Sequence, residues 1–132
     1  MESKSLLVWF VLDFVLEVFH LSLVLFNLFG WIFPRLRLAH FVSLNLVFLS
    51  WVGLGYFYGW GYCPITDYHW YVKAQKGEVN LPYSYIDYTL QRFGLFFPPE
   101  KIDFYVLWIT IGLYLISLFF FIKRIRKNSK NF

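Results

Sequence analysis

The chain has 132 residues, of which 59% are hydrophobic, 25% aromatic and only 15% charged, with a formal net charge of +4 and a mean hydropathy of +0.55. A soluble domain of this size normally carries about a quarter charged residues, so an ordinary water-soluble fold is excluded and one membrane domain over residues 1–132 is expected. The single cysteine, Cys63, rules out an internal disulfide framework.

In chain order, three stretches are long enough for the about 20 helical residues that cross a hydrocarbon core. The first spans about 6–33 and stops at Pro34, the second about 38–60, and the third about 102–122, after Pro98 and Pro99. The expected fold is an all-α integral membrane protein with three transmembrane helices. The first run carries Asp13 and Glu17 and is too long for the apolar part of a signal peptide, so it reads as a span.

Between the second and third spans, the segment 61–101 is too polar to cross and too aromatic for a loose linker. Two short helices are predicted there. Thr66 or Asp67 can cap the first, which ends near Lys76 with Gly77 as its left-handed stop. Ser84 can cap the second, with Asp87 at the capping-box position and an end at Phe93 before Gly94. Tyrosine and tryptophan rings with an apolar body and a polar tip favour the headgroup layer, which places both helices at the outer interface.

A basic tail, 123–132, follows the third span with Lys123, Arg124, Arg126, Lys127 and Lys130. Beside a span, such a cluster faces anionic headgroups rather than nucleic acid. With three spans, seven of the twelve basic residues share the side of Arg35, Arg37 and the tail. The other side holds Lys4, Lys73, Lys76, Arg92 and Lys101, spread along a long loop and mixed with acids. The positive-inside bias therefore sets the N-terminus outside and the C-terminus in the cytoplasm.

Asp13, Glu17 and His20 are the most informative residues. Spacings of four and three put them on one helix face, and Asn27, seven past His20, extends the stripe. Ionisable groups inside a membrane turn inward, pair or stay neutral. A proton shared between the two acids, with Glu17 paired to His20, is the expected ground state. The stripe suits a proton relay, an ion site or a polar ligand contact, or else a seam that pins helices or a partner subunit.

A second constellation lies in Cys63-Pro64-Ile65-Thr66-Asp67-Tyr68-His69-Trp70. Cys63, Asp67 and His69 are possible zinc ligands, but three ligands at this spacing match no zinc signature, and a capping turn accounts for the same residues. Haem is disfavoured because His20, His40 and His69 fall at three different depths, whereas axial ligation needs two at one depth. Gly55 and Gly59 form a small-xxx-small pattern expected to let helices approach closely. Phosphate-cradle, nucleophile-elbow and dinucleotide patterns are absent from the sequence.

His20–Trp31 (HLSLVLFNLFGW), Gly61–Val72 (GYCPITDYHWYV) and Ser84-Tyr85-Ile86 resemble a family of small bacterial membrane proteins catalogued as domain of unknown function 2784. The Cys-Pro-x-Thr turn is the most distinctive mark, and Asp13 with His20 fits the family's first helix. The resemblance implies a bacterial inner-membrane location and supplies no activity.

Three functions from different classes follow. The leading one is a non-enzymatic subunit or binding module with a polar intramembrane site, in contact with lipid and with a partner membrane subunit or further copies of itself. The second is an outer-face metal or redox enzyme using Cys63, Asp67 and His69. The third is a proton- or ion-coupled transporter component acting as an oligomer. No cofactor is specified by the residues.

Overall fold

The structure, a computed structural model, describes residues 2–131 and is built from helices, with no strand among the described residues. Helix α1 runs over Glu2–Phe29 and tightens into a 3-10 turn, Gly30–Ile32. Phe33 then leaves in an extended conformation, φ −91° and ψ 113°, as expected of a residue that precedes a proline. Helix α2, Arg37–Phe48, passes into a π-helical segment, Leu49–Leu54, and then α3, Gly55–Tyr58. Two shorter helices follow, α4 over Pro64–Gln75 and α5 over Tyr85–Arg92. Helix α6, Pro99–Ser129, completes the order.

Three helical stretches, Glu2–Ile32, Arg37–Tyr58 and Pro99–Ser129, are long and apolar enough to cross a membrane. The first and third helices extend beyond the apolar runs read from hydropathy. The first begins at Glu2 rather than near residue 6, with an acid in its first turn, where the helix dipole favours negative charge. The third begins at Pro99, since proline lacks an amide hydrogen that a first turn would leave unpaired anyway. It ends at Ser129, so most of the basic tail is a helical continuation of the span. Arg126 and Lys127 occupy its last turn, where cations complement the carbonyl end.

The two loop helices end as their glycines imply. Glu78 N–H donates to Lys73 C=O and Gly77 N–H to Ala74 C=O; Leu95 N–H donates to Leu90 C=O and Gly94 N–H to Gln91 C=O. With Gly77 at φ 88° and Gly94 at φ 76°, both are Schellman stops, which need a left-handed residue. Their starts differ from expectation. The N-cap of α4 is Cys63 rather than Thr66 or Asp67, because Pro64 fits the first helical position and the helix begins three residues earlier. Ser84 is the N-cap of α5 but makes no side-chain cap bond.

Burial runs opposite to that of a water-soluble protein. Buried apolar residues are Leu44, Val72, Tyr85 and Ile102, whereas His20, His40, Thr66, His69, Lys73, Asp87 and Ser117 are buried polar groups. Large apolar side chains such as Phe14 (70% exposed) and Leu49 (66%) point outward. That distribution suits lipid, which solvates apolar exteriors and leaves polar groups to satisfy one another inside.

The chain divides into two compact units. One holds residues 1–22 with Cys63–Asp103, the other Leu23–Tyr62 with residues 104–132. In the second unit, His40 is fully buried. Its Nε2 lies 2.8 Å from the Asn27 carbonyl and its Nδ1 3.0 Å from Ser117 Oγ. With the proton on Nε2, that nitrogen donates to Asn27 and Nδ1 accepts from the serine, so both ring nitrogens are satisfied. Ser43 Oγ donates to Asn27 Oδ1 at 2.7 Å, and Tyr114 OH donates to Asn45 Oδ1 at 3.2 Å. Gly30 makes room for the imidazole: a Cβ there would meet His40 and Phe26 at 3.0 Å.

Also in that unit, the π-helical segment receives the returning chain. Gly61 N–H donates to Trp51 C=O at 3.4 Å, and Ser50 Oγ donates to Tyr62 C=O at 2.7 Å. Gly55 and Gly59 serve the returning chain. Gly59 turns the chain at φ 109°, and Trp60 and Gly61 fold back over Gly55, where a Cβ would lie 3.5 Å from Trp60 Cα. Gly55→Ala should therefore be tolerated, while Gly55→Leu should lose about 1–3 kcal/mol through overpacking. Unfolding of both variants in mild detergent checks this; equal stability would refute the fold-back contact.

Candidate functional site

The other unit contains the polar stripe of α1. Its partners come from α4 and its C-cap residue, where His69, Lys73 and Lys76 recur with the same spacings, four then three, as Asp13, Glu17 and His20. Residues at such spacings share a helix face. Asp13 is the hub. Its Oδ1 accepts from His69 Nε2 at 2.8 Å and lies 2.9 Å from Lys73 Nζ, while Oδ2 accepts from Lys76 Nζ. Glu78, just beyond α4, accepts from Lys76 at 3.0 Å.

Glu17 takes its partners from α5. Its Oε1 accepts from Tyr85 OH at 3.0 Å and from Arg92 Nη1 at 3.1 Å. Its Oε2 lies 3.7 Å from His69 Nε2 and 3.9 Å from Lys73 Nζ, with no hydrogen-bond partner among the described residues. Three acids, Asp13, Glu17 and Glu78, thus meet three cations, Lys73, Lys76 and Arg92. The expected Glu17–His20 pair is not formed: Glu17 meets Tyr85, Arg92, His69 and Lys73. The acids share cations from the loop segment, Lys73 and Lys76 between Asp13 and Glu78 and Arg92 on Glu17, and His20 instead stacks flat on Tyr85, 3.7 Å between centroids at 9°.

The loop-helix side of the site has shifted acidities. Burial lowers the pKa of His69 despite the raising effect of its hydrogen bond to Asp13, and the Lys73 charge adds to the lowering. Burial alone would also lower Lys73 and Lys76, but hydrogen bonds to Asp13 and its charge outweigh that and raise both. Tyr85 is pushed up to about 12 by burial, then by the Glu17 charge and hydrogen bond. A neutral His69 must therefore put its proton on Nε2, facing Asp13. Its Nδ1 then presents a lone pair that is buried and unpartnered; the Nδ1 of His20, whose ring centroid is 6.4 Å away, is also buried without a hydrogen-bond partner.

Of the residues singled out from sequence, Asp13, Glu17, His20 and His69 come together. Asn27 does not join them, since it belongs to the His40 network of the other unit. Thr66 is buried within the first part of α4, Asp67 lies in its first turn, and Cys63 is half-buried at its N-cap. His69 turns toward Asp13, and among the described residues no group of three or more His, Cys, Asp or Glu is arranged to hold a metal ion. The spacing missed Lys73, Lys76, Tyr85 and Arg92, although the matching stripe on α4 was a usable signal. It also missed His40 and Ser117. Their pairing is that of a serine nucleophile and its base, but at 0% and 2% exposure it works as a packing clamp.

These features define an all-helical protein with three potential membrane spans and a buried ionic network that ties two loop helices to the first. The family model described as a protein of unknown function, DUF2784, matches residues 10–122, and the chain belongs to that family. No curated protein and no solved structure matches the chain.

The acidity shifts give a pH profile. His69 ionises lower when folded than its ordinary value of 6.5, so its stabilising contribution is complete above that value and is lost as pH falls below it. Lys73 and Lys76 ionise above their ordinary 10.5, so theirs is complete below that value and lost at higher pH. Thermal stability in detergent should be flat between about pH 7 and 10 and fall on both sides. His69→Gln should shrink the loss near pH 6. A wild-type curve that rises on acidification from pH 7 to 6 would contradict this assignment.

Proposed function

We propose that this chain is a non-enzymatic subunit or binding module of the bacterial inner membrane, with its loop helices on the outer face and its basic C-terminal end in the cytoplasm. The observation that carries the reading is the imbalance within the α1–α4–α5 network. Its charges are compensated, yet Glu17 Oε2, His20 Nδ1 and His69 Nδ1 stay buried without hydrogen-bond partners. Unmet buried polar atoms carry a penalty of roughly 1–3 kcal/mol each. A group that supplies the matching hydrogen-bond partners at this point, from a ligand or a partner subunit, would recover that energy on binding. Fixed ion pairs around it hold these atoms in place before binding, which limits the entropy lost.

A proton- or ion-coupled role in an oligomer is the second reading, favoured by two histidines and a carboxylate gathered in one buried place. An outer-face redox or metal enzyme would instead depend on Cys63. Purification in mild detergent, with identification of bound molecules and metal, distinguishes these. The binding-module reading expects a stoichiometric companion that His20→Leu removes and Cys63→Ser retains. A companion-free protein that carries a stoichiometric metal lost in Cys63→Ser would overturn it. Proton flux in vesicles abolished by Glu17→Gln would replace it with the transporter reading.

A further inference from the structure

The segment that joins α5 to α6 is the least covered apolar part of its unit. Phe93 is 79% exposed, Phe96 74%, Phe97 51% and Leu95 47%. Among the described residues these phenylalanines stack on no other ring, whereas Trp70, Tyr85 and Tyr88 nearby in sequence form a contiguous aromatic group. The exposure is built in. The Schellman stop at Gly94 fixes the direction in which the chain leaves α5, and Pro98 and Pro99 stiffen its entry into α6.

From Phe93 to Pro99 there is no charged side chain and no side-chain hydrogen-bonding group, while Arg92 precedes the strip and Glu100 and Lys101 follow it. Protein interfaces are anchored by residues that combine apolar area with polar contact, chiefly tryptophan, tyrosine and arginine. A run of Phe, Leu and Pro with charges only at its ends instead matches the step from headgroups into acyl chains.

Chain connectivity narrows the location further. The apolar run of α6 starts at Ile102, five residues after Phe97, and an extended chain covers at most about 3.5 Å per residue. Phe96 and Phe97 are therefore within about 20 Å of the point where α6 enters the membrane, a distance comparable to the headgroup layer and upper acyl region together. We propose that the Phe93–Phe97 strip is a membrane wedge, seated among the glycerol and upper acyl groups of the leaflet in which α6 begins. This rests on α6 being a span, and it gives the loop helices a second attachment, independent of the ionic network to α1.

Site-directed spin labelling tests it in nanodiscs on a Cys63→Ser background. Phe96→Cys reports on the wedge. Val79→Cys, 76% exposed between Glu78 and Asn80, reports on the aqueous loop, and Leu115→Cys, 59% exposed on α6, reports on the span. The wedge predicts that the label at 96 collides with oxygen more than with a water-soluble nickel chelate, a shift in sign from the label at 79. If the label at 96 is as open to nickel as that at 79, the proposal is overturned. It is equally overturned if 96 is shielded from both reagents, since protein then covers the strip. Leu95→Cys supplies the same reading should Phe96→Cys fail to fold. A nickel-accessible label at 115 would instead defeat the spanning assignment of α6, which separates that failure from failure of the wedge.

Discussion

Asp13 is a carboxylate on an otherwise apolar helix, and the unit around it is organised by what that charge requires. An unpaired carboxylate in surroundings of low polarity costs several kcal/mol, and a broken buried pair costs about 3–5 kcal/mol. Three donors from α4 converge on Asp13: His69, Lys73 and Lys76. Matching stripes of spacing four and three on both helices allow this only in one register. Sliding α4 by a single residue would rotate all three donors away together. Glu17 does the same for α5 through Tyr85 and Arg92. The ionic network therefore acts less as a source of net stability than as a device that specifies where the two loop helices lie.

Apolar contact could not do that work alone. Lipid solvates an apolar helix face about as well as another helix does, so burial of leucine gives little drive for association within a membrane. Polar residues accordingly outnumber apolar ones among the buried positions, with His20, His69 and Lys73 in one unit and His40 and Ser117 in the other. Each unit solves the problem differently. One uses full charges in compensating numbers, the other neutral hydrogen bonds between Asn27, His40, Ser43 and Ser117. The neutral network closes on itself, with both nitrogens of His40 engaged. The charged one leaves buried polar atoms without hydrogen-bond partners, and the proposed binding function rests on them.

Much of this architecture was legible in the residues. Long apolar runs bounded by Pro34 and Pro98-Pro99 located the three helices long and apolar enough to span a membrane, because hydropathy and proline sterics act locally. Gly77 and Gly94 located both loop-helix ends, because a left-handed stop has few alternatives to glycine. The stripe of Asp13, Glu17 and His20 was visible for the same local reason. Its partners were harder to read, since the pairing of Asp13 with Lys73 or Glu17 with Arg92 joins residues about 60 to 75 positions apart; the 4,3 spacing of His69, Lys73 and Lys76 was visible, but which stripe it meets is a tertiary fact. Asn27 shows the converse error. Its seven-residue spacing from His20 is real, but the residue pairs where its neighbours in space lie, with His40 and Ser43. Position alone also misplaced the start of α4, where Pro64 at the first helical position outweighed the capping preference of Thr66 and Asp67.

If the hub at Asp13 sets the position of α4, the energetic coupling of its ion pairs must be large. A double-mutant cycle of Asp13→Asn and Lys73→Met, measured by reversible unfolding at neutral pH, tests this most directly. Each single change should be destabilising because it removes the nearest countercharge or one of the donors: Lys73→Met leaves Asp13 with His69 and Lys76 only, and Asp13→Asn leaves Lys73 with the longer contacts to Glu17 and Glu78. The double variant should be less destabilised than the sum of the two, with a coupling of about 1–3 kcal/mol. Additive losses within about 0.5 kcal/mol would mean that α4 is held by other contacts, and the hub would not be the constraint on which the unit depends.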